Sequence, residues 1–382
     1  MKFALPRVKL PNLTKKEWII VGVGGGVIFL GIVSATVYAY IQHRDTVTTC
    51  TGPNCTTITT DDGKVISVTA SPSPSPTPTL LPSKLNGAMV AEGSEALRPL
   101  AVMIENHPDA RPQSGLSKAS VVYEAIAEGG ITRFMAVFGD ARTSVRVGPV
   151  RSARPYFVDF ATEYKAFYAH VGGNANALDQ IKATGVYDLD QFGLGEPTYK
   201  RDFSRNVATE HTMYSTTDKL WDAATVKRGW GTNAEYDSWN FADDVAASVR
   251  PVTQTVTVNF STPSFLVDWQ YNPTTNSYAR VMGGKPHVDA IDNQQITVKN
   301  IVLQTVTRTP LTTRINEHGW LMQLTGSGKA LVIQNGKATE ATWKKTGTGR
   351  TRYYNAAGDE IPLIRGQTWI SMVHPDTTVT VK

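Results

Sequence analysis

The chain has 382 residues, with 38 Lys and Arg against 33 Asp and Glu, a formal net charge of +5. Residues 1–44 carry six basic side chains and one acid, Glu17, so the rest of the chain holds 32 of each sign. That balance excludes a strongly basic globular part and the counterion-release binding of nucleic acid that would need one. Only two cysteines, Cys50 and Cys55, are present, which excludes a disulfide framework and a cysteine-built zinc site.

From Trp18 to Ile41 runs an apolar segment of 24 residues without a charged side chain. A helix rising 1.5 Å per residue over that length spans the roughly 30 Å core of a bilayer. By the positive-inside rule the basic flank, residues 1–17, stays cytoplasmic and the remainder lies outside. A cleaved signal peptide is the competing reading, with Val37-Tyr38-Ala39 as its cleavage site. That site lacks a small first residue and the run exceeds a usual signal core, so a single uncleaved anchor over 18–41 is expected. Residues 42–96 read as a linker rich in Thr, Ser and Pro. In an oxidising exterior Cys50 and Cys55 can close a small disulfide loop. The SPSPSPTPT run over 71–79 is expected to be extended, as a stalk that forms no core.

Residues 97–230 interleave strand and helix patterns and are expected to form a mixed α/β domain. Pro99–Ile104 is a short buried-strand pattern. Val121–Glu128 and Ile131–Phe138 flank Gly129-Gly130 as a hairpin. Alternation sets Tyr123, Ala125 and Ala127 on one face and Glu124, Ile126 and Glu128 on the other. Arg154–Glu163, Asn174–Ala183 and Thr216–Lys227 have helical spacing. A connection over 231–250 leads to residues 251–382, where eight strand patterns joined by Gly, Asn and Pro turns predict a β-rich domain. Asn335-Gly336 is a strong hairpin signal there. The expected class is therefore α+β, behind a single transmembrane helix and a Pro-rich stalk.

Three polar clusters each follow a strand-like segment, where irregular loops commonly carry sites. The first is Glu105-Asn-His-Pro-Asp-Ala-Arg-Pro-Gln-Ser-Gly115, the second Gly148-Pro-Val-Arg-Ser-Ala-Arg154 and the third Tyr168-Ala-His-Val-Gly-Gly-Asn174. Arg151 and Arg154 at a helix start suit a phosphate or carboxylate. The candidate ligand contacts are Asn106, Arg111, Gln113, Arg133, Arg151, Ser152, Arg154 and His211. The candidate acid–base groups are Glu105, His107 and His170.

These residues resemble a known family. ENHPDARPQSGLSKASVVYEAIAEGGITRF, then GPVRSAR, then the Tyr-x-His-x-Gly segment are similar to the YerB-like family of bacterial envelope proteins, which has N- and C-terminal domains of unknown function. The resemblance covers about residues 95–382 and implies an anchored protein outside the cytoplasm. No lipobox cysteine closes the apolar run, so a helix would replace the lipid. Where the family commonly has Pro-His-Asn-x-Tyr, this chain has Glu210-His-Thr-Met-Tyr214, which keeps His211 and Tyr214 and puts Thr212 at the asparagine position. The resemblance implies no reaction.

Other chemistries have weaker patterns. His107, His170 and His211 lack ligand spacing of the HExxH kind, so neither a metal nor another cofactor is expected. No GxSxG elbow accompanies Ser114 or Ser152. Glu124 and Glu128 stand about 13 Å apart by strand rise, too far for a retaining glycosidase pair. A purely structural reading pairs Arg111, Arg133, Arg151 and Arg154 with Glu105, Glu124, Glu128 and Asp159. The expected function is that of a membrane-anchored extracytoplasmic envelope protein binding an anionic glycan or peptide. A cell-wall hydrolase and an envelope scaffold are the alternatives. The expected partners are the cytoplasmic membrane, cell-wall glycan or peptide and envelope proteins, with no nucleic acid.

Overall fold

The computed structural model describes residues 55–59, 65–69 and 79–382. The expected membrane span, the SPSPSPTPT stalk up to residue 78 and the expected Cys50–Cys55 pairing lie outside them. Among the described residues no helix is long and apolar enough to cross a membrane. The chain divides into two compact units, Met1–Thr77 and Pro78–Lys382. In the first, within the stretch read as linker, Cys55–Thr59 pairs antiparallel with Val65–Thr69 over all five residues of each strand.

In the second unit, ordered structure begins before residue 97. Leu80–Pro82 pairs with Met89–Ala91, Leu85 is fully buried, and Gly366 donates its N–H to the Asn86 carbonyl at 2.8 Å. The elements that follow are β1 (Leu100–Ile104), β2 (Val121–Ile126), β3 (Thr132–Phe138), β4 (Arg146–Val147), α1 (Pro155–Glu163), β5 (Phe167–His170), α2 (Ala175–Thr184), β6 (Tyr187–Asp190), β7 (Lys200–Arg201), β8 (Met213–Thr216) and α3 (Thr217–Asp222). The helices start where local chemistry places them. Pro155 occupies the first turn of α1, and the Asn174 side chain caps α2 by accepting the Ala177 N–H at 2.9 Å. A π-helical turn over Ala223–Lys227 completes the third expected helix.

From residue 251 onward the chain is β9 (Thr255–Asn259), β10 (Leu266–Asn272), β11 (Ser277–Met282), β12 (Asn300–Thr305), β13 (Arg308–Thr312), β14 (His318–Met322), β15 (Gly326–Gln334), β16 (Lys337–Lys345), β17 (Arg352–Tyr354), β18 (Thr368–Val373) and β19 (Thr378–Val381). Asn335 and Gly336, at φ 54° and 70°, make the tight β15–β16 turn.

One ten-stranded sheet crosses both composition zones in the order β6-β5-β1-β3-β2-β18-β12-β15-β16-β17. The junction is parallel, with Val121 to Glu124 of β2 registered against Thr368 to Ser371 of β18. α1 and α2 cover one face through Tyr156, Phe157, Phe160 and Ile181. The other face packs on a smaller antiparallel sheet, in which β11, β10, β9 and β19 are neighbours, through Val256, Val267, Trp269 and Tyr278. β1, β2 and β3 are therefore buried on both faces, which accounts for their nearly unbroken apolar runs. The expected α+β organisation with a β-rich second zone is what the structure has, joined through a shared sheet.

Candidate functional site

Backbone hydrogen bonds stitch the three polar loops together at the C-terminal ends of β1 and β5. The Glu105 N–H donates to Pro149 O at 2.9 Å, Arg151 N–H to Met103 O at 3.0 Å, and Val171 N–H to Arg151 O at 3.1 Å. β8 joins through Val150 N–H to Met213 O at 2.6 Å. This crowding requires glycine at 148, where φ is 137° and a Cβ would stand 2.8 Å from Tyr214 Cδ1.

Seven of the expected residues form one charged cluster with Glu128. Glu105, 2% exposed, is ion-paired with Arg151, and its Oε2 lies 3.7 Å from His211 Nδ1. Arg154 pairs with Glu128, with Nη2 at 2.6 Å from Oε2. Arg133 donates to Ser152 O at 3.0 Å and Oγ at 3.1 Å, and Arg154 reaches the same hydroxyl at 2.9 Å. The His107 ring stacks on His211 at 4.8 Å with planes 5° apart. Burial alone would raise the Glu105 carboxyl. The charges of Arg133 and Arg151, with the His107 N–H, outweigh it and hold the group below the usual carboxylate range. Glu128 is likewise held low, Arg154 outweighing its burial. Burial and the neighbouring Arg154 bring Arg133 down to about 10, while burial pulls His211 below its ordinary value.

The arrangement limits what this cluster can do. Arg151 and Arg154 each already face a carboxylate, and Arg133 is 4% exposed. His107, Asp109 and His211 offer donor atoms within 4.8 Å of one another. Ring planes 5° apart, however, send the in-plane lone pairs of the two histidines along parallel planes, and a shared ion needs them to converge. His170 stands apart from the cluster. Its Nδ1 meets Gly172 O at 2.8 Å and its Nε2 meets Asp188 Oδ1 at 2.9 Å, in a fully buried position. Both nitrogens are thus engaged, Nε2 tying β5 to β6 and Nδ1 holding the loop that follows β5. Asp159 accepts from Gln180 at 2.6 Å rather than from an arginine.

Asn106, Arg111 and Gln113 enter a second, buried network whose other half comes from the β-rich zone. Arg280 Nη2 donates to both Glu124 oxygens, at 2.9 and 2.8 Å, and its Nε donates to His287 Nδ1 at 3.0 Å. His287 Nε2 meets Gln113 Oε1 at 2.8 Å, and Gln113 Nε2 donates to Asn106 Oδ1 at 2.9 Å. Asn106 Nδ2 donates to Thr132 Oγ1 at 2.6 Å, which donates to Glu124 Oε1 at 2.9 Å and closes the ring. Trp369 Nε1 also donates to Glu124, at 2.9 Å. Arg280 and His287 were absent from the sequence-derived set. The usable signal was Arg280 itself, which alternation places on the apolar strand face of Tyr278 and Met282.

Arg111 lies at the edge of this network and, unlike Arg151 and Arg154, meets no carboxylate. It donates Nε to Asn106 Oδ1 at 3.2 Å, Nη1 to Ser264 O at 2.9 Å and Nη2 to Asn106 O at 3.1 Å, all neutral acceptors. Burial, aided by the nearby Arg280 charge, lowers its pKa to about 10. It lines an open cleft of about 600 Å³ with Pro108, Ser264, Met282, Lys285 and His287.

The motifs that meet in these two networks belong to a described family. Residues 85–231 match the N-terminal domain and residues 256–370 the C-terminal domain of a protein of unknown function (DUF3048). A Bacillus subtilis (strain 168) protein named "Putative lipoprotein YerB" is 31% identical over 302 residues, 78% of this chain and 87% of that protein. The chain belongs to the YerB-like family. The crystal structure of the YerB protein from Bacillus subtilis is similar at a TM-score of 0.68 and 29% identity, over 78% of this chain and 99% of that one. Both family domains contribute to the buried ring, Glu124 and Gln113 from the first and Arg280 and His287 from the second.

Proposed function

We propose that this protein is a membrane-anchored, extracytoplasmic component of the bacterial cell envelope that binds an anionic glycan or peptide through the Arg111 cleft. The apolar run over 18–41 and the name of the lipoprotein relative support the address. One observation carries the binding site. Arg111 is a guanidinium fixed by three neutral acceptors beside an open cleft, with no carboxylate partner among the described residues. Two of its five N–H donors remain for a ligand. An incoming carboxylate or phosphate would offset the burial that disfavours its charge. Lys285, exposed on the same cleft, adds a second cation. Arg151 and Arg154 fit this role less well, because Glu105 and Glu128 already neutralise them.

The hydrolytic alternative draws no support. A general acid needs a raised carboxyl pKa, whereas Glu105 is held low, and His170 has both nitrogens engaged. Calorimetric titration of the full-length chain in non-ionic detergent with purified cell-wall muropeptides tests the binding reading. Saturable binding that weakens at least tenfold in Lys285→Glu and in Arg111→Ala is expected. No heat of binding, or unchanged affinity in both variants, would overturn it.

A further inference from the structure

A second basic cavity lies on the small sheet formed by β7, β8 and β4. Antiparallel register sets Lys200 opposite Tyr214 and Arg146 opposite Thr216. Facing pairs project to the same side, and Tyr214 and Thr216 are two apart on one strand, so all four share a face. With Lys219 of α3 and Arg201 they line a cavity of about 430 Å³. Its floor is firm. Tyr214 is 6% exposed and lies beneath Arg146, whose Cζ is 4.0 Å from the ring centroid.

The charge of this cavity is uncompensated. Four cations line it against one carboxylate, Asp202, which pairs with Arg146. Arg201 donates to neutral acceptors, Thr209 O at 2.5 Å and Thr212 Oγ1 at 3.3 Å. Among the described residues no carboxylate lies in salt-bridge range of Lys200, Arg201 or Lys219. Such a net charge of +3 stands out in a chain whose sequence beyond residue 44 balances 32 positive against 32 negative side chains. At the rim Phe203 is 70% exposed, a large apolar ring left open to solvent.

We infer that this cavity binds an anionic sugar carrying at least two negative charges. Its phosphate or carboxylates sit among Lys200, Arg201 and Lys219, and the apolar face of a sugar ring lies against Phe203. Two or more charges are needed because three cations lack a counter-charge. Phosphate and carboxylate share the chemistry that lysine and arginine recognise. The cavity volume falls in the usual range for small-ligand sites. This site uses none of the Arg111 cleft residues and stands independently of that reading.

Calorimetry on the full-length chain in non-ionic detergent tests it with glucose 6-phosphate and a galacturonic-acid trisaccharide. Glucose, maltotriose and inorganic phosphate serve as comparisons. At least one anionic sugar is expected to bind ten or more times tighter than its neutral counterpart, and which one it is separates phosphate from carboxylate. The exposed double variant Lys200→Glu/Lys219→Glu should weaken that binding at least tenfold, while Lys337→Glu on β16 leaves it unchanged. Phe203→Ala should weaken the sugar several-fold and leave inorganic phosphate unaffected. The inference is overturned if neither anionic sugar saturates the protein or the double variant binds equally well. Equal losses in Lys337→Glu, or inorganic phosphate matching the sugar with no Phe203→Ala effect, overturn it too.

Discussion

Arg280 on β11 places its Nη2 2.8 Å from Glu124 Oε2 on β2, and both side chains are fully buried. The guanidinium also stands 4.3 Å from the Trp369 ring centroid. This contact joins the smaller sheet to the middle of the large one, across 156 residues of sequence. Removing one partner leaves a buried charge with no counter-ion, which costs far more than removing both. Arg280→Met should therefore destabilise the fold by about 3–5 kcal/mol. The double variant Arg280→Met/Glu124→Gln should cost clearly less than the sum of the singles. Urea unfolding of the four proteins measures this, and strict additivity would show the pair to be uncoupled.

His287 makes the same region sensitive to acid. Its Nδ1 accepts from Arg280 and its Nε2 donates to Gln113, so the ring holds its place only when neutral. Burial, with Arg280 and Arg111 nearby, sets its pKa well below the ordinary value of about 6.5. Below that value the unfolded chain binds a proton that the folded chain refuses, so stability must fall as pH drops from about 6.5 toward 5. His287→Gln should start less stable but lose less over that interval. Parallel slopes in urea midpoint against pH for the two proteins would contradict this assignment.

Glu163 at the end of α1 offers a comparison between buried and exposed ion pairs. It faces Lys345 Nζ at 2.7 Å and accepts from Thr351 Oγ1 at 2.8 Å, with the Lys345 side chain 2% exposed. Glu163→Ala strands that cation and should cost about 3 kcal/mol or more. Asp179→Ala breaks an exposed pair with Arg314 and should leave thermal stability unchanged. Similar melting shifts for the two would refute the distinction.

Gly148 and Gly129 both have positive φ, at 137° and 62°, but only Gly148 is crowded. A Cβ there meets Met213 O and Val150 N at 2.9 Å, both backbone, whereas nothing lies within 4 Å at Gly129. Gly148→Ala should cost about 1–3 kcal/mol from strain alone, with the clash adding to it. Gly129→Ala should be milder, and equal urea midpoints for the two would contradict this account.

Local patterns carried much of the architecture. A short apolar run located β1, the Gly129-Gly130 hairpin signal located β2 and β3, and helical spacing located α1 and α2 to within a residue or two. The convergence of two of the polar loops was legible, because they follow β1 and β5, parallel neighbours in the large sheet, whereas the loop between them follows β4 of the small sheet and is brought in by backbone hydrogen bonds. The partition of the arginines was not legible. Arg111, Arg151 and Arg154 look alike in sequence, yet two meet carboxylates and one meets only amide and carbonyl oxygens. Nor could alternation foresee that Glu124 faces an apolar layer, because it assigns faces without saying what covers them.

The sequence by itself determined where the net charge resides, because charge is a sum over residues and needs no geometry. The +5 lies in the first 44 residues and the remainder balances. Only the tertiary structure decided where balanced charge becomes locally unbalanced. Opposite charges cancel in a count but interact over a few ångströms, so Glu105 and Glu128 silence the arginines they touch. Arg111 keeps its field because no carboxylate among the described residues pairs with it, and the cavity lined by Lys200, Arg201 and Lys219 keeps a surplus because its one carboxylate, Asp202, is taken up by Arg146.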